Sequence, residues 1–433
     1  MKEYPYWWDT VPSSELKTEN SEVSPQVESL TGRRFDVAIV GAGYTGLAAA
    51  RQLAKSGAAT VVLERESVGW GASSRNGGQV LTGLRLEAAA LVRRYGESRA
   101  RALFEIGLDA AATLERIVSE ERIDCDLTRT GHIVGAWKRS HFEGLRETQA
   151  LLARVFDHRV ALVPRAQQRE EIGSDVYHGL LVDEHSSALN PARYVDGLAA
   201  AARRAGVTIA CGAGVERVER QASRWSLITT RGTLEATDVL LATNGYTNGA
   251  APALRRRLVP IGSYIIATEP LAASAAAGLL PRRRVAYDSK HFLYYFRVTA
   301  DHRLLFGGRA EFARPDAATT RRAAAILRDG MRAVFPQLAG ASIEYAWGGN
   351  AAFTRDEMPR AGKLEGVYYA GGYCGHGIAL ATHLGSLIAR RIAGEPIEHP
   401  MFDDRFAPIP LYHGRPWFLP IVGAYYKVRD WLA

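Results

Sequence analysis

Apolar and polar positions fall into a strand–turn–helix pattern at three separated places along the chain. Phe35–Val40 (FDVAIV) is a short apolar run rich in β-formers, as expected of a strand buried on both faces. Gly41-Ala-Gly-Tyr-Thr-Gly46 follows, then an Ala/Leu-rich helical stretch to Ser56, which Gly57 ends as a glycine just past a C-cap does. Thr60–Leu63 reads as a second strand that stops at Glu64, so the pattern predicts one βαβ unit of ordinary size. The second block spans 190–243. Asn190-Pro191 opens a helix and Gly206 closes it, and strands are predicted at VTIA, Trp225–Thr230 and Asp238–Ala242. The third block spans 366–395, with strand Val367–Ala370, the turn Gly371-Gly-Tyr-Cys-Gly-His-Gly377 and a helix through Arg391.

Different patterns separate these blocks. Residues 86–122 read as helices carrying Leu103, Ile106, Leu114 and Ile117, with short strands near 131–137 and 160–163. Residues 258–312 alternate aromatic and β-branched positions, as an antiparallel sheet does, and 319–335 are helical. There is no internal repeat. The pattern predicts an α/β protein: a Rossmann-like dinucleotide-binding domain of discontinuous segments (33–95, 186–255 and 341–396) with an inserted α+β substrate domain (96–185 and 256–340) carrying the antiparallel sheet. Residues 1–32 form a polar arm with Tyr4, Tyr6, Trp7 and Trp8 as anchors, and 397–433 a C-terminal tail.

Composition narrows the class. A hydrophobic fraction of 47% and a charged fraction of 23% supply an ordinary globular core and exclude global disorder. The net charge is +8, and only seven of the 54 basic residues are lysine. That excess is compatible with an anionic ligand, with nucleic acid, or with a plain arginine-rich surface. Cys125, Cys211 and Cys374 are too few and too scattered for a disulfide framework or a cysteine metal site, which favours a reducing, cytoplasmic setting. No HExxH, CxxC or clustered histidine motif calls for a metal. The N-terminus lacks a signal-peptide core, and Pro260, Glu269 and Pro270 interrupt the longest weakly charged stretch, so no membrane span is expected. The aromatic, basic tail is expected to dock on its own protein or on a neighbouring subunit in a homo-oligomer, with interfacial membrane contact as the alternative.

The glycine pattern points to chemistry. Gly41 allows a tight turn, Gly43 lets backbone approach a pyrophosphate, and Gly46 lets the helix pack on the strand. The helix start offers unpaired N–H groups to phosphate. Glu64, at a strand end, is placed to accept ribose hydroxyls. After the second strand comes Gly69-Trp-Gly-Ala-Ser-Ser-Arg-Asn-Gly-Gly78, a loop able to wrap a second phosphate and run under a flat ring.

With this loop the sequence resembles the D-amino acid oxidase (DAO) family of FAD-dependent oxidoreductases, and in motif style its gamma-glutamylputrescine oxidase branch. The resemblance runs from about Phe35 to Ile392 through GAGYTG, SRNGG, Ala242-Thr-Asn-Gly-Tyr-Thr247 and Gly372-Tyr-Cys-Gly-His-Gly377, in the family's order. It implies non-covalent FAD. Gly41, Gly43, Tyr44, Thr45, Gly46, Glu64 and Arg65 would meet the adenosine and pyrophosphate. Gly71, Ala72, Ser73, Ser74, Arg75, Asn76, Gly77 and Gly78 would line the pyrophosphate and flavin edge. Val215 would offer main chain to the adenine, and Thr243, Gly372, Gly375, His376 and Gly377 complete the set. Some relatives tether the flavin through a cysteine, but the comparable stretch Gly348–Asp356 has none, and Cys374 reads as a packing residue.

The resemblance also implies the reaction. A hydride leaves the α-carbon of a small-molecule amine or amino acid for flavin N5, the imine hydrolyses, and oxygen reoxidises the flavin with release of hydrogen peroxide. An amine dehydrogenase with another acceptor is the alternative. Tyr264, Arg297 and His376 are the catalytic candidates. Two roles are open for Arg297, clamping a substrate carboxylate or pairing with a protein carboxylate. Two are open for His376, positioning or proton transfer. Tyr264, Phe292, Tyr294 and Tyr295 suit either a substrate wall or a sheet core. A nucleic-acid-associated role fits poorly, because Arg255–Arg257 and Arg282–Arg284 lie beside turns or proline and no RNA module is visible.

Overall fold

A computed structural model describes residues 1–11, 29–308 and 315–423. Two eight-stranded sheets organise the chain. The first grows from Arg34–Val40, which pairs in parallel with Thr60–Leu63 on one side and with Gly232–Leu241 on the other. Thr208–Ala210 extends it beyond Thr60–Leu63, and the hairpins Val215–Gln221/Arg224–Thr229 and Arg360–Leu364/Val367–Gly371 attach at Gly232–Leu241. Its central strands are apolar on both faces because helices cover one side and a smaller apolar cluster fills the other.

The helices Tyr44–Lys55, Pro191–Arg204 and Gly377–Ile392 cover the first face. A Cβ added to Gly385 would fall inside contact distance of Thr45 O, so the first and last of these cross backbone to backbone. Asn190 caps the middle helix by accepting from the N–H groups of Ala192 (3.1 Å) and Arg193 (3.2 Å).

The second sheet runs Ile343–Phe353, Val259–Thr268, Leu304–Gly308, Tyr294–Val298, Val285–Asp288, His132–Gly135, Gly179–Asp183, Ala161–Pro164. All its pairs are antiparallel except Val285–Asp288 with His132–Gly135. Helix Ala317–Val334, opened by an Asp316/Thr319 capping box, covers one face.

Two segment boundaries differ from those read in the sequence. Helix Glu97–Glu121 packs against Gly377–Ile392, and its Leu103, Ile106, Leu114 and Ile117 join the core of the first sheet, not the second. Strand Ile343–Phe353 belongs to the second sheet, in register with Val259–Thr268, so the third nucleotide-sheet segment begins only at Arg360.

Of the N-terminal aromatic anchors, Tyr6, Trp7 and Trp8 are buried and Tyr4 is partly buried. Tyr6–Thr10 forms one 3₁₀ turn, and Trp7 and Trp8 pack with Tyr345, Trp347 and Ile265. Their indole N–H groups donate to Asn76 O (2.9 Å) and Ser74 Oγ (2.8 Å), which fastens the arm to the SRNGG loop. At the other end, Tyr412 and Leu419 dock on Val259. Residues 12–28 of the arm and 424–433 of the tail lie outside the described residues. Among the described residues, no helix is long and apolar enough to cross a membrane.

Candidate functional site

A cavity of about 710 Å³ runs between the two sheets and is lined from both. At one end lies the first turn. Gly41 has φ +107, a conformation that favours glycine, and a Cβ there would sit 2.9 Å from Ala242 O. A Cβ at Gly43 would sit 2.8 Å from Ser73 Oγ, while one at Gly46 would collide with Gly41 O. Gly43 therefore keeps the cavity open, whereas Gly46 keeps helix against strand and does not reach the cavity. The helix beginning at Tyr44 has no side-chain cap; Tyr44 N donates to Ser73 Oγ (3.1 Å), and Thr45 lines the cavity beside it. An uncapped helix start behind a glycine turn suits phosphate.

Glu64 closes this end. Its carboxylate accepts from Ala42 N (2.8 Å) and Glu66 N (3.0 Å). Burial pushes its pKa up, and those N–H groups offset the shift. Each oxygen keeps acceptor capacity for a hydroxyl. Arg65 is an exposed rim residue paired with Glu66 (3.2 Å), and Val215 lines the cavity next to it. A turn, an uncapped helix and a buried carboxylate in this order fit the adenosine half of an extended dinucleotide.

The SRNGG loop splits by side-chain direction. Gly71, Ala72, Ser73, Arg75, Asn76 and Gly77 line the cavity. Ser74 and Gly78, expected there, do not. Ser74 is fully buried, donates to Gly69 O (2.7 Å) and receives Trp8. Gly78 has φ +69 and packs under Leu189 O and Arg297. Arg75 lies with its guanidinium 4.8 Å from the Trp8 ring and 4.5 Å from the Trp70 ring, and Nε donates to Trp70 O (2.8 Å). Asn76 holds the loop in shape, donating to Ala72 O and Ser73 O (both 3.0 Å) and accepting from Gly78 N (2.9 Å).

The closing motif lies opposite. Thr243, Tyr373, Cys374, Gly375, His376 and Gly377 line the cavity. Gly372, also expected, does not; its N–H donates to Asn244 Oδ1 (2.9 Å) and its φ of +77 sets the turn. Cys374 donates to Gly372 O (3.1 Å), and burial pushes its thiol up to about 11, so it stays protonated. His376 occupies the N-cap position of the last helix without a side-chain cap bond.

Two expected catalytic residues lie elsewhere. Tyr264 is 1% exposed, in the core beneath helix Ala317–Val334; strand alternation turns its neighbour Ser263 to the cavity instead. Arg297 does not line the cavity, and among the described residues it meets no carboxylate in a salt bridge. It is buried and donates to Gly78 O and Leu189 O, both at 2.8 Å. The residue two places back, Tyr295, does line the cavity, its hydroxyl 3.0 Å from Ser263 Oγ.

The cavity is also lined by residues that motif reading missed. Arg85 projects from the stretch Leu84-Arg85-Leu86, whose leucines are buried in the first core. Among the described residues no hydrogen bond or ion pair engages its guanidinium, and its Nε is buried without a partner. It lines the same cavity as Tyr287 and Cys374, and its positive charge acts on both. Asp288 and Lys290 line the cavity close by, 3.2 Å apart; burial pushes Asp288 up to about 6 against the pull of Lys290. Only a leucine-flanked arginine just past the flavin-type loop signalled Arg85.

A polar network forms the far wall. His132 Nδ1 lies 2.8 Å from Ser186 Oγ, its ring stacks on Tyr287, and burial lowers it to about 4. Asp183 accepts from Thr82 Oγ1 (2.8 Å) and His185 N (2.8 Å), and meets His158 Nε2 at 2.7 Å. Burial alone would raise Asp183, but His158 and the other donors hold it well below the usual carboxylate range. The ligand atoms of His158, Asp183 and His185 lie within 4.8 Å of one another. Both Asp183 oxygens already accept two contacts each, which makes the group a hydrogen-bonded hub.

Comparison with known proteins agrees with this geometry. The family described as FAD dependent oxidoreductase (DAO) matches residues 36–391. The chain is 33% identical over 412 residues to the gamma-glutamylputrescine oxidoreductase of Escherichia coli, covering 93% of this chain and 94% of that one. It is 32% identical over 386 residues to a probable oxidoreductase, OrdL, of Haemophilus influenzae, covering 88% of each. Among solved structures, glycine oxidase from Geobacillus kaustophilus superposes with TM-score 0.74 at 21% identity, over 87% of this chain and 99% of that one. L-proline dehydrogenase from P. horikoshii gives 0.69 at 18%, over 86% and 96%.

Proposed function

The chain belongs to the DAO family of FAD-dependent oxidoreductases, with FAD as its cofactor, and on that premise we propose that it oxidises the C–N bond of an amine or amino acid bearing an anionic group, with oxygen as acceptor. Amine, oxygen and water would give a carbonyl compound, the released amine or ammonia, and hydrogen peroxide. Bound FAD supplies the hydride acceptor. The first turn, Tyr44 N–H and Thr45 would hold the pyrophosphate, Glu64 the ribose and Val215 the adenine. Ser73, Asn76 and Gly77 would flank the ring with Cys374–Gly377. The uncapped start of the last helix offers its positive end where negative charge develops on reduction. The thiol of Cys374 is engaged with Gly372 O and protonated, which supports non-covalent flavin. No disulfide joins any of the three cysteines, in keeping with a cytoplasmic setting.

Arg85 carries the reading of the substrate. An arginine with no hydrogen-bond or ion-pair partner among the described residues, flanked by two buried leucines at the cavity wall, fits a carboxylate through a forked pair of hydrogen bonds. Gamma-glutamylputrescine, named for the Escherichia coli relative, is an amine that also carries a carboxylate. Tyr295 and Tyr287 would wall the amine end from water, and His376 would position or relay a proton.

The test is an anaerobic panel of amines with and without a carboxylate. A carboxylate-bearing amine is expected to bleach the flavin, and readmitted air to restore it with peroxide. Arg85→Met is expected to raise KM for carboxylate-bearing substrates about 10–100-fold, the worth of a charge-assisted pair, and to leave uncharged amines unaffected. An equal loss for both classes would remove Arg85 from substrate binding. Flavin that never bleaches would remove amine oxidation itself.

A further inference from the structure

A second cavity, of about 780 Å³, opens below the N-terminal turn and shares no lining residue with the first. Its walls come from Tyr6–Thr10, from the Arg282–Arg284 segment and from the turn following Tyr294–Val298. Seven arginines line it against four acidic residues. Five of the seven are neutralised locally: Arg129 by Glu115 (2.9 Å), Arg193 by Asp126 (3.2 Å), Arg282 by Glu171 (3.3 Å), Arg284 by Glu171 and Glu184 (2.8 and 2.6 Å), and Arg303 by Asp301 (2.8 Å).

Arg283 and Arg297 are not. Among the described residues neither meets a carboxylate in a salt bridge. Arg283 donates to Thr299 O at 2.7 Å, which brings it to the strand end that carries Arg297 two residues earlier. Arg297 is 8% exposed, spends NH1 on two carbonyls, and has a buried Nε with no partner at all. Burial and the charge of Arg283 lower it to about 10, so it remains a cation at neutral pH. Arg297 is thus a nine-tenths buried cation beside the exposed Arg283, and Asp126, the carboxylate whose charge reaches it, is already paired with Arg193, so an added anion would stabilise it.

We propose that this second cavity binds a small polyanion, phosphate- or carboxylate-based, between Arg283 and Arg297. Guanidinium forks match either oxyanion bidentately. The position has a consequence for the first cavity. Arg297 holds Gly78 O, at the end of the SRNGG loop, so a ligand on its free edge bears on the arginine that fixes the loop.

The holoenzyme is titrated calorimetrically with pyrophosphate and with citrate, each against sodium chloride of equal ionic strength. One saturable site for either anion is expected, and the preferred one identifies the ligand's source. Arg283→Glu is expected to weaken binding at least tenfold without altering the flavin spectrum, whereas Arg85→Met leaves it unchanged. Arg297→Lys, which keeps the charge but loses the fork, is expected to weaken binding and to shift the flavin absorbance change on titration. Binding that survives Arg283→Glu, that disappears with Arg85→Met, or that sodium chloride reproduces would overturn the proposal.

Discussion

Neighbouring glycines of the first turn do separable work. Gly46→Ala places a methyl group against Gly41 O inside the helix–strand contact, so the fold itself is the target. Gly43→Ala places one 2.8 Å from the Ser73 hydroxyl, which can rotate away. The expected outcome for Gly43→Ala is at least tenfold weaker FAD binding in a fluorescence titration, with the apoprotein's unfolding midpoint nearly unchanged. These positions were legible in the sequence because their demands are local: a turn, a close approach, a helix start. Ser73 and Ser74 show where that legibility ends. They are adjacent and chemically alike, yet one faces the cavity and the other is buried under Trp8. Tyr264 was misassigned for the same reason, since alternation divides a strand into two faces without saying which meets the site, whereas Arg297 shares the face of the cavity-lining Tyr295 but lies beyond the cavity's end, against Gly78 O and Leu189 O. Arg85 has no local signature, because what sets it apart is the absence of a partner across the fold.

At the scale of elements, the turn Tyr6–Thr10 acts as a buttress. It touches both the second sheet and the SRNGG loop. Truncating its best-buried ring, Trp8→Ala, is expected to cost about 3–5 kcal/mol in denaturant unfolding, the usual range for a large aromatic core residue. The flavin should then leave at a lower denaturant concentration than global unfolding requires. Wild-type coincidence of the two transitions in this variant would show that the buttress does not support the loop. Helix Arg139–Phe156 and strand Gly179–Asp183 went unread and Gly232–Leu241 begins six residues before the expected Asp238, but most other strands and helices fell within a residue or two of their sequence-based positions, because period and punctuation are local signals. Their allegiance did not. Ile343–Phe353 (IEYAWGGNAAF) has no regular alternation, and nothing in its composition says that it pairs with Val259–Thr268 and not with the first sheet.

The two sheets meet as one body around the cavity, and its far wall links stability to pH. Burial lowers His132 to about 4, so it is neutral in the folded protein. An unfolded histidine titrates near pH 6.5. The unfolded chain therefore takes up a proton first, and the contribution of His132 is complete above about pH 6.5 and is lost as pH falls through about 4. A shift of that size amounts to about 3 kcal/mol. His132→Gln should flatten the fall in unfolding free energy between pH 7 and pH 4. A variant with the same acid limb as the parent would show that the histidine does not carry it. The arginine excess also takes shape at this scale. Arg75 lies between two indoles, Arg51 bonds to Glu120 and Glu121, and Arg297 holds carbonyls, so much of the charge serves internal architecture. The central parallel pair also sets a timetable. Strand Arg34–Val40 leaves the ribosome some 190 residues before the strand Gly232–Leu241 that must lie beside it. At roughly 5–20 residues per second that is a delay of about 10–40 s, during which one edge of the nascent sheet stays open. The last helix, which crosses Thr45, arrives later still. Cofactor loading is thus an event of the finished chain, and the interval before it is when this protein is most exposed to misassembly.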